Sequence, residues 1–412
     1  MNSKDYIALE EKYGAHNYHP LPVVIHKGKG IYLWDVEERR YSDFLSAYSA
    51  VNQGHCHPRI IEALIDQASM LTLTSRAFYN DQLGLFEEKL HQIFGYDRAL
   101  PMNTGAEAVE TAIKLCRKWA YEVKGIQPNK AKIVFFESNF HGRTLGAISA
   151  STETSSTGGF GPYLPGITIL PYGDIEAAQE CLSSDDTIAG IIIEPVQGEA
   201  GVIIPPDGYL KKLFSICKQR NILFIADEIQ TGLGRTGRLL ASDHEQIRPD
   251  VVLLGKAISG GTIPVSVVLA DRSIMDVIKP GQHGSTYGGN PLAARVACAA
   301  LDVIIEEKLS ENASSQGVLL TNALNLLKTD TSLISSVRGK GLLHAIELDD
   351  DPDGNTAWNI CIALAKQGLL AKPTRGNIIR LAPPLVINQS QLEESITIIN
   401  QVIMSYMAIA QG

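Results

Sequence analysis

The sequence predicts an α/β protein built on a largely parallel sheet, and three observations predict it. Residues 133–136, 188–196, 222–229, 251–254 and 265–270 are almost continuously apolar instead of alternating, as strands buried on both faces must be. Helical patterns such as 208–220 lie between several of them, and strands that alternate with helices build parallel sheets. At 412 residues the chain is too long for one small core and asks for two or three lobes, at roughly one per 150 residues.

Ahead of that middle region, residues 30–35 and 41–44 are aromatic-rich around the charged turn Glu37-Glu38-Arg39-Arg40, which predicts a small hairpin. The Ser/Thr/Gly-rich run 151–161 predicts a surface loop. From about Leu301 the texture changes. Helices are expected at 311–327, 356–367 and 391–406, with strands at 341–348 and 378–381, a smaller α+β lobe that the N-terminal segment joins in space. The division expected is an N-terminal segment 1–52, a large domain 53–300 and a small domain 301–412.

Apolar residues make up 45% and charged residues 20%, ordinary globular values. A net charge of −9 argues against a nucleic-acid partner, which calls for a basic face. Six scattered cysteines without a C-x-x-C pair read as reduced thiols in a reducing compartment. Residues 1–10 are polar and acidic, unlike a secretory signal or an Arg-rich transit peptide, and no apolar run approaches the roughly 18 residues of a bilayer span. The expectation is a cytoplasmic protein without a membrane partner.

The chemistry concentrates in Asp227-Glu228-Ile229-Gln230-Thr231-Gly232 and Gly255-Lys256. An acid ends one apolar run and a lysine ends another, 29 positions on (256 − 227). Parallel sheets bind ligands at the carboxyl ends of their strands, so both side chains enter one crevice. A carboxylate facing a lysine suits pyridoxal phosphate: the acid keeps the pyridine nitrogen protonated and the lysine forms the Schiff base and then moves protons. A buried Asp–Lys ion pair fits these two residues equally well.

Three further stretches belong with them. Thr104-Gly105-Ala106-Glu107 is a capping box opening a helix with Val109, Ala112, Ile113, Cys116 and Ala120 on one face, and its first N–H groups form a phosphate seat. In Asn139-Phe140-His141-Gly142-Arg143, Phe140 offers a ring to stack and Arg143 a fork for a carboxylate; a core aromatic and a surface arginine read the same way. The loop His283-Gly284-Ser285-Thr286-Tyr287-Gly288-Gly289 brings hydroxyls on Ser285 and Thr286 that reach a phosphate from this subunit or a neighbour. By contrast Gly232-Leu233-Gly234-Arg235-Thr236-Gly237 spells G-x-G-x-x-G without the helix or the later acid a dinucleotide site needs, so an NAD-dependent oxidoreductase is a remote alternative. His55-x-His57 lacks a second ligand cluster and no metal is expected.

Together these motifs resemble the class-III, fold-type-I aminotransferases, from Tyr13 to the last strand. Within that family the chain is most similar to the members that use L-ornithine, on 13–20 (Tyr-Gly-Ala-His-Asn-Tyr-His-Pro), 49–55, 73–78 and Arg117-Lys118-Trp119. The resemblance implies Lys256 as the Schiff-base lysine, Asp227 as partner of the pyridine nitrogen, Gln230 at the phenolic oxygen and Phe140 on the ring. It also implies Gly105, Ala106 and, from the partner subunit of a homodimer, Thr286 on the phosphate. Tyr18, Tyr48 and Arg143 would bind ornithine, and Arg380 the α-carboxylate of 2-oxoglutarate. Glu199 would neutralise Arg380 while ornithine is bound. Two residues depart from the pattern: His141 stands where the animal-type ornithine-using members usually carry tryptophan, Phe-His-Gly-Arg being common in acetylornithine aminotransferases, and Ile263 replaces an aromatic after Ser259-Gly260-Gly261. Both leave acetylornithine and 4-aminobutyrate as alternative donors.

Overall fold

The computed structural model describes residues 1–410. Its N-terminal hairpin forms as the aromatic pattern requires. Strands β1 (Ile25–Lys29), β2 (Tyr32–Asp35) and β3 (Arg40–Asp43) pair antiparallel, and Tyr41 donates its hydroxyl to the buried Asp35 at 2.6 Å.

The large sheet contains β4 (Arg98–Met102), β5 (Lys132–Phe136), β6 (Ile167–Leu170), β7 (Ile188–Ile193), β8 (Leu223–Asp227), β9 (Val251–Leu254) and β10 (Ser266–Ala270), in the order β4-β10-β9-β8-β7-β5-β6. Strands β9, β8, β7, β5 and β6 are parallel. The five expected apolar runs are all strands. Direction is where 265–270 differs: β10 runs antiparallel to both neighbours, with Val267 opposite Leu254 and Ser266 opposite Met102. A strand buried on both faces is apolar whichever way it runs, so its pattern carries no sign of direction. Because β10 reverses twice, β4 points the same way as β9, and its carboxyl end joins the others on one edge.

Every residue of β7 and β8 is buried. Each isoleucine taken fully out of water there contributes about 1.5–3 kcal/mol, which makes the sheet the stiff floor of the molecule. Helix Gly105–Trp119 packs on it through Val109, Ala112, Ile113 and Cys116, all at most 3% exposed. Helix Tyr209–Gln219 covers the other face through Leu210, Leu213 and Cys217.

The C-terminal part holds β11 (Ile334–Lys340), β12 (Leu343–Leu348), β13 (Leu369–Leu370), β14 (Lys372–Arg375) and β15 (Ile378–Leu381), with helices Leu309–Asp330, Thr356–Lys366 and Gln389–Ala410. Strand β13 leaves this part and pairs with β3 of the N-terminal hairpin, Leu369 opposite Ser42. Residues 151–161 are mostly exposed, with a single helical turn at Thr154–Thr157 inside the expected loop.

Candidate active site

All the reactive side chains follow the carboxyl ends of strands that point to one edge. Asp227 ends β8, Glu194 follows β7, Lys256 follows β9, Phe140 and His141 follow β5, and Gly105 follows β4. They enclose a cavity of about 190 Å³ together with Ala106, Gly142, Glu199, Ile229 and Gln230. The crevice predicted from strand ends is therefore real, and it gathers Gly105, Ala106, Phe140, Asp227, Gln230, Lys256 and Glu199 from separate parts of the chain.

The floor is acidic and dry. Asp227 is 3% exposed; its Oδ1 accepts from the Ile229 N–H at 3.1 Å and its Oδ2 lies 2.6 Å from His141 Nδ1. Glu194 beside them accepts from the Phe140 N–H at 2.9 Å, and burial pushes its carboxyl up to about 8, with the charge of Asp227 adding to the effect. Lys256 lines the same cavity from a left-handed conformation, φ 45°. Burial lowers its amine from the usual lysine value, against the opposing pull of Glu199. A lysine so shifted is a competent base at the strand ends.

Helix Gly105–Trp119 aims its start at the cavity. Thr104 Oγ1 accepts from Glu107 N at 3.2 Å while Glu107 returns a carboxylate oxygen to the Thr104 N–H at 3.0 Å, the expected capping box. The first N–H groups of a helix have no acceptor in the helix itself, which leaves those of Gly105 and Ala106 for an anion. Space is tight: a Cβ on Gly105 would meet Ile229 at 3.2 Å, and one on Gly142 would meet Ala106 Cβ at 2.9 Å.

Beyond Lys256 the cavity ends in an ion pair. Arg380, 2% exposed on β15, donates from Nη1 to Glu199 Oε1 at 2.8 Å, and Gln230 Nε2 donates to the same oxygen at 2.9 Å. The guanidinium lies over the Tyr48 ring at 4.7 Å. Tyr48 reaches it from a run of four left-handed residues, Ser46–Ser49, with φ between 45° and 72°. Such conformations cost roughly 1–2 kcal/mol each for non-glycine residues. Asp43 holds the run by accepting from the Leu45 and Ser46 N–H groups at 2.8 and 2.9 Å, and Ser46 Oγ donates to Ala382 O at 2.6 Å. Nothing in Ser-Ala-Tyr-Ser announces this turn, because it holds no glycine.

Arg143 lines an adjoining cavity of about 160 Å³ with Phe140, Glu199, Thr374 and Arg375. Its guanidinium stands 5.4 Å from the Phe140 ring and bonds Ser156 Oγ. Of the expected residues, Arg143, Tyr48 and Arg380 stand next to the Lys256 cavity without lining it, and Tyr18, Ser285 and Thr286 do not line it either. Tyr18 is 79% exposed and Thr286 is exposed. Ser285 Oγ instead accepts from Asn103 Nδ2 at 3.0 Å and from the Gly288 N–H at 2.8 Å. His141 lines both the Lys256 cavity and the Arg143 cavity, and its fully buried side chain makes its contact with Asp227. Sequence reasoning missed Glu194 as a titrating group and missed the His141–Asp227 contact.

The decoys resolve into structure. Gly232 to Gly237 form a buried turn around Arg235, with no helix. His55 bonds Asp43 at 2.7 Å and His57 bonds Glu307 at 3.0 Å. No cluster of three metal-binding side chains occurs among the described residues.

A base lysine, a facing carboxylate, an aromatic face and an open helix start fit pyridoxal phosphate in size and in donor set, and define a pyridoxal-phosphate-dependent transferase. The family described as aminotransferase class-III matches residues 13–403, and the chain belongs to it. The ornithine aminotransferase, mitochondrial, of Rattus norvegicus is 58% identical over 405 residues, 98% of this chain and 91% of that protein. Among solved structures, the ornithine aminotransferase from Toxoplasma gondii, described with partial occupancy of PLP at the active site, has a TM-score of 0.97 at 46% identity and covers 100% of this chain and 96% of its own. An acetylornithine aminotransferase from Elizabethkingia anophelis has a TM-score of 0.91 at 56% identity, covering 98% and 100%. The α/β fold is that of fold-type-I aminotransferases.

Proposed function

We propose that this class-III aminotransferase moves the δ-amino group of L-ornithine to 2-oxoglutarate, giving glutamate-5-semialdehyde, which cyclises to pyrroline-5-carboxylate, and glutamate. The observation that carries this reading is the Glu199–Arg380 pair at 2.8 Å beside the lysine. A buried guanidinium left free would draw in the α-carboxylate of ornithine and present the wrong amine. With Glu199 in place that end is neutral, so the α-carboxylate goes to Arg143, and the δ-amine falls at Lys256. When 2-oxoglutarate enters, its α-carboxylate takes the place of Glu199 on Arg380.

Pyridoxal phosphate, when bound, supplies the electron sink for charge that develops on the substrate carbon. Phe140 would stack on its ring, Asp227 would hold the ring nitrogen and Gln230 the phenolic oxygen, while Gly105 and Ala106 would hold the phosphate. Lys256 Nζ, its proton affinity reduced by burial, takes the proton from the δ-carbon of ornithine. The cavity that Lys256 lines with Phe140, Ile229 and Glu199 limits the access of water to that carbon.

The exposed Thr286, outside the cavity of its own chain, supports a homodimer in which Thr286 of one subunit completes the phosphate site of its partner; light scattering of the purified protein tests this. A reducing, cytoplasmic setting is supported by six free cysteines, four of them buried, and cell fractionation tests it. The pairing of β3 with β13 supports the division into 1–52, 53–300 and 301–412; residues 411 and 412 lie outside the described residues. No helix among the described residues is long and apolar enough to cross a membrane.

A second donor, N-acetyl-L-ornithine, is favoured by the 56% identity to the Elizabethkingia anophelis protein. The deciding experiment is a half-reaction without keto acid, following the visible absorbance of the bound cofactor. L-Ornithine, N-acetyl-L-ornithine and 4-aminobutyrate are added at matched concentrations. Fastest conversion with ornithine, with pyrroline-5-carboxylate formed, is expected. Fastest conversion with acetylornithine would overturn the donor and leave the lysine and cofactor in place.

A further inference from the structure

His141 is the one imidazole built into the floor of this site. Its side chain is fully buried, and its ring packs against Phe135 at 5.6 Å. Asp227 beside it is an acceptor only when ionised, so the 2.6 Å contact makes His141 Nδ1 the donor. Its other nitrogen, Nε2, is buried with no hydrogen-bond partner among the described residues. A polar ring buried this completely, with one nitrogen unused, gains little as core packing. Its one polar contact is to the carboxylate that faces the cavity.

We propose that His141 is the positioning residue of Asp227: its Nδ1–H fixes the carboxylate in the rotamer that meets a protonated ring nitrogen entering from the cavity. The proposal rests on the cavity being the pyridoxal-phosphate site. A carboxylate has about four lone-pair directions, and Asp227 uses one for His141 and one for Ile229, so directions remain for the cavity side. The titratable groups around the imidazole are Asp227 and Glu194, with Lys256 and Glu199 lining the same cavity. Burial works against the imidazolium, but the hydrogen bond and charge of Asp227 outweigh it, aided by Glu194, and the ring holds protons more tightly than usual. The His141 side chain therefore acts through the carboxylate that would hold the ring nitrogen.

Asparagine places an amide N–H where Nδ1 stands, whereas glutamine places it nearer Nε2, which faces away from Asp227. The experiment titrates pyridoxal phosphate into apoenzyme of the wild type, H141N, H141Q and H141F, with the melting temperature of each apoprotein measured alongside. H141N is expected to bind within about threefold of wild type, and H141Q and H141F about tenfold or more weaker, the scale of one lost charge-assisted hydrogen bond. In the loaded enzymes, the preference for ornithine over acetylornithine is expected to move by less than about threefold, as a residue that acts only through the cofactor requires. Equal affinity of wild type and H141Q, or an H141N as weak as H141Q, would overturn the proposal; this pair decides even if H141F does not fold. Wild-type protein that fails to bind the cofactor would instead reject the reading of the cavity.

Discussion

Lys256 occupies a backbone conformation that lysine disfavours, φ 45°, with Gly255 alone between it and the end of the buried strand β9. Strain of this kind persists only where the surroundings impose it, and here Lys256 lines the same cavity as Asp227. Replacing Lys256 by Ala is expected to lower turnover about 10⁴-fold or more while leaving the fold intact, measured by steady-state assay with added cofactor. Near-normal activity in K256A would sink the mechanism. Glu199 makes a different prediction. In E199A the Arg380 guanidinium is freed, so the α-carboxylate of ornithine can dock there. The proportion of product from the α-amine is expected to rise about tenfold, read by chromatography of the two products, and the KM for 2-oxoglutarate is expected to fall. Glu194 carries a pH signature. Its carboxyl is raised in the fold to about 8 from 4.5, so between those values the folded chain binds more protons than the unfolded one. Its contribution to stability is whole below 4.5 and is lost as pH rises towards 8. From pH 5 to pH 8.5 the apoprotein of E194Q is expected to lose a few degrees less in melting temperature than wild type, at about 2–4 °C per kcal/mol. Parallel melting curves would show that Glu194 does not titrate.

At the scale of elements, two strand-end segments meet at Gly142 and Ala106, and the seat for the phosphate depends on that meeting. Gly142 has φ 125°, and a Cβ there would stand 2.9 Å from Ala106 Cβ. G142A is therefore expected to displace the start of helix Gly105–Trp119 and to weaken cofactor affinity about tenfold or more, with a lesser effect on apoprotein melting. Unchanged affinity by fluorescence titration would show that the helix start yields freely. The elements behind this contact were partly legible in the sequence. Buried strands β5, β7, β8 and β9 were visible because continuous apolar runs admit few other readings. Strands β4, β6 and β11 were not: β4 carries Pro101 at a sheet edge, β6 is only half-buried, and β11 is largely polar. The site divides in the same way. Asp227, Lys256 and the capping box at Thr104 were readable because each is a local motif. The contact of His141 with Asp227 spans 86 positions, and no local pattern encodes it. The turn that delivers Tyr48 is set by Asp43 and Ala382 from outside the segment.

At the scale of the molecule, the site draws on both ends of the chain as well as the middle, since Arg380 bonds Glu199 of the cavity wall and lies over the ring of Tyr48. Something must hold those parts in register, and Arg235 is placed to do it. It is fully buried in the turn between Gly232 and Gly237 and donates to Leu342 O at 2.9 Å, Pro383 O at 2.6 Å and Asn52 Oδ1 at 2.6 Å. Its partners are thus the N-terminal segment and two strand ends of the C-terminal part, all uncharged. Burial lowers the guanidinium to about 9, against the opposing charge of Asp43. A buried cation with neutral partners is costly in isolation, so its retention reflects the three bonds it supplies between parts. R235M keeps much of the volume and removes every donor. Three acceptors would then be left buried and unpaired, at roughly 1–3 kcal/mol each before relaxation. The expected outcome is a fall in melting temperature of at least about 5 °C, together with a higher KM for 2-oxoglutarate because Pro383 lies three residues beyond Arg380. A methionine variant that melts as wild type does would mean that hydrophobic packing alone holds the parts together. A variant that melts lower but keeps its KM would confine Arg235 to stability and leave the placing of Arg380 to β15 and its neighbour β12.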